Sequence, residues 1–194
     1  MDAQNQSVIL ETARLRLRPL RLSDAPRIQA LFPHWEIVQY LAAVIPWPYP
    51  ENGARQFLES VLPKNDVGTQ YDWAITLRSD NSDQLIGSIS LFPNDAEDSR
   101  GFWLGEAYHR QGYMKEAVVA VNDFAFGTLG MPSLMLNNAE PNLPSHRIKE
   151  ISGAVIVAME DDTAFVGGRF RRVRWRLTCE AWEVYRNQSN PKLP

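Results

Sequence analysis

Cysteine is almost missing from this sequence, since Cys179 is the only one in 194 residues. One cysteine can form no internal disulfide and no multi-cysteine metal site, so we predict a reducing compartment and no metal. Apolar runs of about 20 residues, the length that spans a bilayer, are also lacking. The first ten residues have no positive region followed by an apolar stretch. The sequence therefore predicts a cytoplasmic protein without a membrane partner.

An excess of positive charge is lacking too. Twenty Lys and Arg residues stand against 23 Asp and Glu, a formal net charge of -3, which argues against a nucleic-acid partner. What is present is a globular composition, 44% hydrophobic and 22% charged, at a length that suits one domain. We predict a single domain over residues 1–186 and a flexible C-terminal tail over residues 187–194.

The spacing of apolar residues predicts a mixed α/β chain. Predicted helices run from Ser23 to Pro33, from Asn52 to Pro63, from Gly112 to Ala125 and from Pro144 to Ile151. Predicted strands cover residues 15–20, 73–77, 85–92, 102–104, 134–136, 154–159 and 173–177. The last strand alternates with arginines and is predicted to lie at a sheet edge. The arginines in and before this strand are Arg169, Arg171, Arg172, Arg174 and Arg176. They either form a solvated face or attract a partner, which could be an acidic protein or ribosomal RNA.

A predicted strand passes through a turn containing Gly112 into the longest predicted helix. The first N–H groups of a helix lack partners and lie at the positive end of its dipole, so such a turn can hold a phosphate. Arg110 and Lys115 add positive charge beside it. A glycine before an amphipathic helix is also ordinary turn chemistry, so this motif alone leaves both interpretations open.

Several segments resemble conserved blocks of one enzyme superfamily. The spacing of Asn142, Ser145, Arg147 and Gly153 resembles the second conserved block of the GNAT acyltransferases. Three further segments resemble its ribosomal-protein N-terminal acetyltransferase branch: Glu11 to Arg18, Trp103 to Ala117, and Trp175 to Trp182 as a closing strand. The resemblance covers nearly the whole chain.

This resemblance implies a mixed, mostly antiparallel sheet of six to seven strands, splayed at its centre and flanked by about four helices. It implies acetyl-CoA as co-substrate and a primary amine as acceptor. The first expected acceptor class is a protein N-terminus, and the second is a small amine, such as an antibiotic or polyamine. A non-catalytic acyl-CoA-binding regulator is the alternative, and a homodimer is left open.

The resemblance also assigns cofactor contacts to individual residues. Leu104, Gly105 and Glu106 are expected to offer backbone groups to pantetheine, and Asn142 to contact the pantetheine arm. The expected pyrophosphate cradle runs from the strand end into the helix: His109, Arg110, Gln111, Gly112, Tyr113, Met114 and Lys115.

The expected chemistry rests on fewer side chains. Ser145 is expected to face the sulfur and to protonate the departing thiolate, although a serine after proline also starts helices. Glu106 is the first candidate for the general base, with Glu160, His109 and His146 as alternatives. Trp35, Trp47 and Tyr49 either line the acceptor pocket or pack in the core. Lys149 replaces a tyrosine that serves many of these enzymes as general acid, and Ala154 replaces a frequent aromatic.

Overall fold

The computed structural model describes residues 8–189, and within this range eight strands form two sheets. The first sheet contains, in spatial order, β1 (Leu10–Glu11), β2 (Leu15–Pro19), β3 (Tyr71–Leu77), β4 (Leu85–Leu91) and β5 (Arg100–Leu104). The second contains β6 (Ser133–Ala139), β7 (Val155–Phe165) and β8 (Gly168–Thr178), with β8 in the middle. All strand pairs in both sheets are antiparallel.

The helices of residues 8–189 are α1 (Ala25–Leu31), α2 (Trp35–Val38), α3 (Gly53–Asp66), α4 (Tyr113–Asp123), α5 (Leu143–Ile151) and α6 (Cys179–Ser189). A π-helical turn, Phe124–Thr128, continues α4. None of these helices is long and apolar enough to cross a membrane. The predicted fold class is confirmed. The strands and helices outnumber the prediction: β1 and α2 are too short to show a detectable periodicity, and α6 occupies residues that were predicted as the end of the closing strand and part of the tail.

The expected splay lies between β5 and β6. The two strands approach each other at the start of β5, where the N–H of Ser99, the residue before β5, donates to the Met135 carbonyl (2.7 Å) and the Met135 N–H donates to Ser99 Oγ (3.0 Å). They belong to different sheets, so no ladder joins them beyond that point. The edge of β5 that faces away from β4 is therefore open.

Two apolar clusters hold the sheets and helices together. The larger one joins both sheets to α4, which buries Met114, Ala117, Val118 and Val121 at the predicted helical spacing. The smaller one packs α1 against β4 and α3 against β3, with Leu58 fully buried. Burial of each large aliphatic side chain contributes about 1.5–3 kcal/mol, so both clusters firmly position the elements beside the splay.

Several predicted helix and strand ends differ from the structure, including those of β7 and β8, which are longer than predicted, and two differences have a local cause. Pro63 does not stop α3, which runs to Asp66 because Asn65 Oδ1 accepts the Asp72 N–H (3.0 Å) and ties the last turn to β3. The closing strand does not reach Trp182, since β8 ends at Thr178, whose Oγ1 accepts the Ala181 N–H (3.2 Å) and starts α6.

The predicted tail boundary also differs from the structure. Helix α6 continues to Ser189, so residues 187–189 are helical rather than part of a tail. Residues 190–194, the rest of the predicted tail, lie outside the described residues.

The two arginine-rich strands are not simple cationic faces. Arg18 of β2 is buried, and its guanidinium forms a bidentate ion pair with Asp24 (2.7 and 2.9 Å). Strand β8 is central rather than an edge, because β7 folds back along it. Arg172 and Arg174 of β8 both reach Glu160 on β7 (3.3 and 3.1 Å). Cross-strand carboxylates thus already engage much of this positive charge.

Candidate active site

The first turn of α4 presents unpartnered backbone donors. Gly112 precedes the helix with a φ of +79°, Arg110 has a φ of +60°, and no side chain caps the helix. The first helical hydrogen bond runs from the Glu116 N–H to the Gly112 carbonyl (3.1 Å). The N–H groups of Tyr113, Met114 and Lys115 come before that bond and have no helical acceptor. They point out of the positive end of the helix, where an anion is favoured.

The turn before α4 is held in place by the connection between β1 and β2. The Glu116 carboxylate accepts the Thr12 hydroxyl (2.5 Å), the Arg14 N–H (2.8 Å) and Arg14 Nε (2.7 Å). Partial burial alone raises the pKa of Glu116, but these hydrogen bonds hold it below its ordinary value. The Arg14 guanidinium also donates to the Gln111 carbonyl (3.0 Å). Arg14 therefore brings a further cation to the predicted phosphate turn, which sequence spacing did not reveal.

The C-terminal end of β5 has some backbone groups engaged and others open. The Gly105 N–H donates to the Ile86 carbonyl of β4 (2.9 Å). Alternate residues of an antiparallel strand bond to the same neighbour, so Phe102 and Leu104 direct their backbone groups towards the splay. The Leu104 carbonyl there accepts His109 Nε2 (2.7 Å). Among the predicted pantetheine contacts, the Leu104 N–H faces the open edge of β5. The Gly105 N–H already donates to the Ile86 carbonyl and does not face that edge.

Helix α5 begins with a side-chain cap, unlike α4. Asn142 Oδ1 accepts the Ser145 N–H (3.2 Å), and Pro144 lies in the first turn. The side-chain oxygen of Asn142 is therefore occupied in capping, which leaves its amide nitrogen for the predicted contact with the pantetheine arm. Ser145 is only 8% exposed, and its Oγ accepts a hydrogen bond from Lys149 Nζ at 2.7 Å.

Lys149 is buried between α5 and β5. It is 2% exposed, and its Nζ lies 5.8 Å from the centroid of the Phe102 ring. Burial, and then the nearby charge of Arg100, lowers the pKa of Lys149 to about 7, while the carboxylate of Asp98 acts in the opposite direction. The sequence singled out Lys149 only as a departure from the family pattern.

Further polar residues surround this lysine: Arg100 and Asn122 are buried, and Asp98 is half-buried. Burial raises the pKa of Asp98 to about 6 and lowers the pKa of Arg100 to about 10. Arg100 donates to Asn122 Oδ1 on α4. We call Ser145, Lys149, Asp98, Arg100 and Asn122 the Lys149 cluster. Sequence reasoning missed its last three members because single polar residues in loops and amphipathic elements normally face solvent.

The predicted acceptor-pocket residues separate into two groups. The rings of Trp35 and Trp47 lie 5.7 Å apart on the surface, and these residues are 42% and 41% exposed. Tyr49 instead packs edge-on against Phe32 (5.1 Å) in the smaller apolar cluster, where burial raises its pKa. Two of the three side chains thus form a surface pair, and the third packs against the core.

The candidate bases differ in what they contact. Glu160 is ion-paired with arginines of β8, and the His146 ring packs edge-on against Trp175 (4.6 Å). His109 is hydrogen-bonded to the Leu104 carbonyl. Glu106 is exposed and starts a short 3-10 turn directly after β5. Among residues 8–189, no three His, Cys, Asp or Glu side chains are grouped to hold a metal ion.

Comparison with known proteins identifies the class to which this fold and site belong. The family described as Acetyltransferase (GNAT) domain matches residues 14–155. The chain therefore belongs to the GNAT acetyltransferase family. This match confirms the predicted superfamily and the predicted enzyme class, an acyltransferase.

One relative and two solved structures illustrate the similarity. The Bacillus subtilis (strain 168) protein named "Probable N-acetyltransferase YjcK" is 31% identical over 109 residues, which is 54% of this chain and 59% of the relative. The ribosomal-protein-S5-alanine acetyltransferase of Vibrio fischeri has a TM-score of 0.75 at 17% identity, covering 90% of this chain and 98% of that one. RimL, a ribosomal L7/L12 alpha-N-protein acetyltransferase solved with coenzyme A, has a TM-score of 0.75 at 16% identity, covering 90% and 99%. Both structures share the fold.

Proposed function

We propose that this protein transfers the acetyl group of acetyl-CoA to a primary amine, with a protein N-terminal α-amine as the first acceptor class and a small amine as the second. One observation carries the proposal. The uncapped first turn of α4 and the open edge of β5 present backbone donors on either side of the turn at residues 105–112, while Ser145 lies on the helix that follows β6.

The residues present fit the cofactor. The pyrophosphate would be held by the N–H groups of Tyr113, Met114 and Lys115, with positive charge from Lys115 and Arg14. Pantetheine would lie along β5 and bond to backbone groups at Phe102 and Leu104, as an added strand bonds to a sheet edge. When bound, acetyl-CoA supplies a thioester carbonyl as the acetyl donor.

The side chains can then supply the steps of acyl transfer. The Leu104 N–H is placed to donate to the oxygen that gains negative charge. Ser145 Oγ donates its proton to the departing thiolate, and the exposed carboxylate of Glu106 accepts a proton from the amine, directly or through water. An α-amine has an ordinary pKa of about 7.7–8.0 against about 10.4 for lysine, so it needs far less help from a base. An exposed base therefore favours an N-terminal acceptor.

Two further observations support a protein N-terminus over a small amine. Trp35 and Trp47 form an exposed aromatic pair, and partly exposed aromatic side chains commonly anchor peptides. Two proteins with the same fold are named for acetylating ribosomal proteins. The cytoplasmic location, the homodimer and the lack of a nucleic-acid partner remain predictions.

Cofactor binding can be tested by a thermal melt with and without acetyl-CoA. A ligand at about 100 times its dissociation constant stabilises a protein by about 2.7 kcal/mol, so a clear rise in melting temperature is expected. A melt that does not move at saturating acetyl-CoA would contradict the proposal.

Acetyl transfer needs a separate assay. The release of CoA thiol is measured with peptides that carry a free N-terminal alanine or serine, with spermidine, and with N-acetylated peptides as the matched control. Release that requires the free N-terminus supports the first acceptor class, and release with spermidine alone supports the second. A thermal shift without thiol release would instead identify an acyl-CoA-binding regulator.

A further inference from the structure

Ser145 and Lys149 form a hydrogen-bonded pair one turn apart on α5. Lys149 Nζ donates to Ser145 Oγ at 2.7 Å and more weakly to the Ser145 carbonyl at 3.4 Å. Since Nζ is the donor, the hydroxyl hydrogen of Ser145 is left to be donated elsewhere. If Ser145 protonated the thiolate alone, it would not need a lysine hydrogen-bonded to its hydroxyl.

The surroundings of Lys149 Nζ are closed and nearly free of compensating charge. The Phe102 ring of β5 covers it, and Arg100 of the same strand adds a second positive charge. Asp98, in the loop before β5, is the carboxylate that favours its charged form. A buried amine on which a neighbouring cation acts more strongly than a carboxylate holds its proton weakly. A purely structural buried lysine would instead be expected to have a close carboxylate partner.

We propose that Lys149 is a positioning and proton-supplying residue that acts through Ser145, so that the pair Ser145–Lys149 returns a proton to the CoA thiolate. This inference rests on the proposed acetyl transfer. It assigns to this chain a replacement for the tyrosine that the family pattern places at the Lys149 position.

The step balances without any additional reactant. The amine nitrogen bonds to the thioester carbon, and the C–S bond then breaks with its electron pair moving to sulfur. Ser145 Oγ gives its proton to sulfur, and the Lys149 ammonium gives one to Oγ, which restores the hydroxyl and leaves a neutral lysine. The proton lost by the acceptor amine leaves through Glu106 to water, and water reprotonates Lys149.

The depressed pKa of Lys149 suits this role. An ordinary lysine has a pKa near 10.5 and is too weak an acid to protonate a thiolate, whereas the pKa of Lys149 is about 7. An ordinary thiol has a pKa of about 8.5, so proton transfer from Lys149 to the thiolate is favourable. Because the donor must be charged, turnover should fall as the pH rises through the pKa of Lys149. Arg100 and Asp98 are the charged groups that influence the pH at which turnover falls.

The main test is the pH profile of thiol release from acetyl-CoA with a peptide carrying a free N-terminal alanine, from about pH 5 to 10. The wild-type protein is expected to lose activity on the alkaline side. Lys149→Met should lower kcat about a hundredfold and remove that alkaline limb, because no titrating lysine remains. Ser145→Ala should have a similar effect, and the double variant should be no slower than the slower single variant.

The controls separate this role from a structural one. Ser152→Ala alters another buried serine, the residue directly after α5, whose Oγ donates to the Lys149 carbonyl at 2.8 Å, and should keep the wild-type profile. The melting-temperature rise with CoA should be retained in every variant. A Lys149→Met protein with the wild-type pH profile would overturn the inference, and so would independent, multiplying losses in the double variant.

A second measurement needs no acceptor. The thiol of bound CoA is titrated by its thiolate absorbance, with desulfo-CoA as the blank. Lys149 is charged only below about pH 7, where it favours the thiolate, so in that pH range the thiolate fraction of bound CoA should be larger in the wild-type protein than in Lys149→Met. If no amine is acetylated but this difference is present, the proposed function fails and the pair stands. If amines are acetylated and the difference is absent, the pair fails alone.

Discussion

The two helices that follow β5 and β6 begin in opposite ways. Helix α4 starts at Gly112 with no side-chain cap and with its first turn open to solvent. Helix α5 starts at Asn142 with a side-chain cap, and Ser145 and Lys149 behind it are buried. Both ends flank the same splay between the sheets. One therefore offers main-chain donors to an anion, and the other offers side chains whose protonation depends on burial.

This difference indicates which substitutions should affect cofactor binding at α4 and which should affect proton donation at α5. Main-chain donors tolerate side-chain replacement and depend on backbone conformation. A buried hydroxyl–amine pair depends on each side chain and on pH. Paired substitutions at the two helix ends should therefore give opposite patterns.

The largest expected difference is in the pH dependence of stability, comparing Lys149→Met with Lys115→Met. In the folded protein Lys149 loses its proton near pH 7. In the unfolded chain Lys149 stays protonated up to about its ordinary pKa of 10.5. Between these values the unfolded state binds more protons, so the free energy of unfolding rises with pH by up to about 1.4 kcal/mol per pH unit. Denaturant unfolding at several pH values should show this rise in the wild-type protein and in Lys115→Met. An undiminished rise in Lys149→Met would contradict the burial of its charge.

The next largest effect is on turnover in Ser145→Ala. We expect kcat to fall about a hundredfold, the usual contribution of a proton donor, with unchanged affinity for CoA. Ser152→Ala is the matched buried-serine control and should stay near the wild-type rate. Steady-state kinetics together with CoA titration separates the two effects. A fall in CoA affinity equal to the fall in kcat would show that Ser145 binds rather than protonates.

A smaller effect is expected from Gly112→Ala in the open turn of α4. A residue with a Cβ at a φ of +79° is strained, which costs roughly 1–2 kcal/mol of stability or forces the turn to move. CoA affinity should weaken about tenfold, because 1.4 kcal/mol corresponds to a factor of ten. Gly127→Ala is the control, since its added Cβ would meet no atom within 4 Å. Equal CoA affinities in the two variants would rule out a role for the turn geometry.

The smallest effect concerns the cap of α5. Asn142→Ala should lower the free energy of unfolding by about 1 kcal/mol and reduce turnover a few-fold, because the first turn that carries Ser145 loosens. Asn142→Asp keeps a capping oxygen and should retain the stability. Denaturant unfolding and kcat are measured on both. If both variants lose turnover and only Asn142→Ala loses stability, the side chain contacts the cofactor in addition to capping.

Much of the architecture could be predicted because it depends on local patterns. The buried face of α4 follows directly from the spacing of Met114, Ala117, Val118 and Val121. The Gly112 turn is a short-range feature of the same kind, whereas the sequence offered Ser145 as the residue that starts α5 and the structure has Asn142 as its cap. The central position of β8 could not be predicted, since alternation looks alike in an edge strand and in a central strand whose arginines meet carboxylates on a neighbour.

The sequence by itself determined the order of the longer helices and strands as far as β8, the glycine turn before α4 and the serine four residues before Lys149, because residue type and spacing act over a few positions. Only the tertiary structure decided the attachment of Arg14 to Glu116 and the burial of Lys149 against Phe102. Both depend on segments far apart in the chain. The pKa of Lys149 is set by desolvation and by the charges of Arg100 and Asp98, and those exist only once the two sheets have packed.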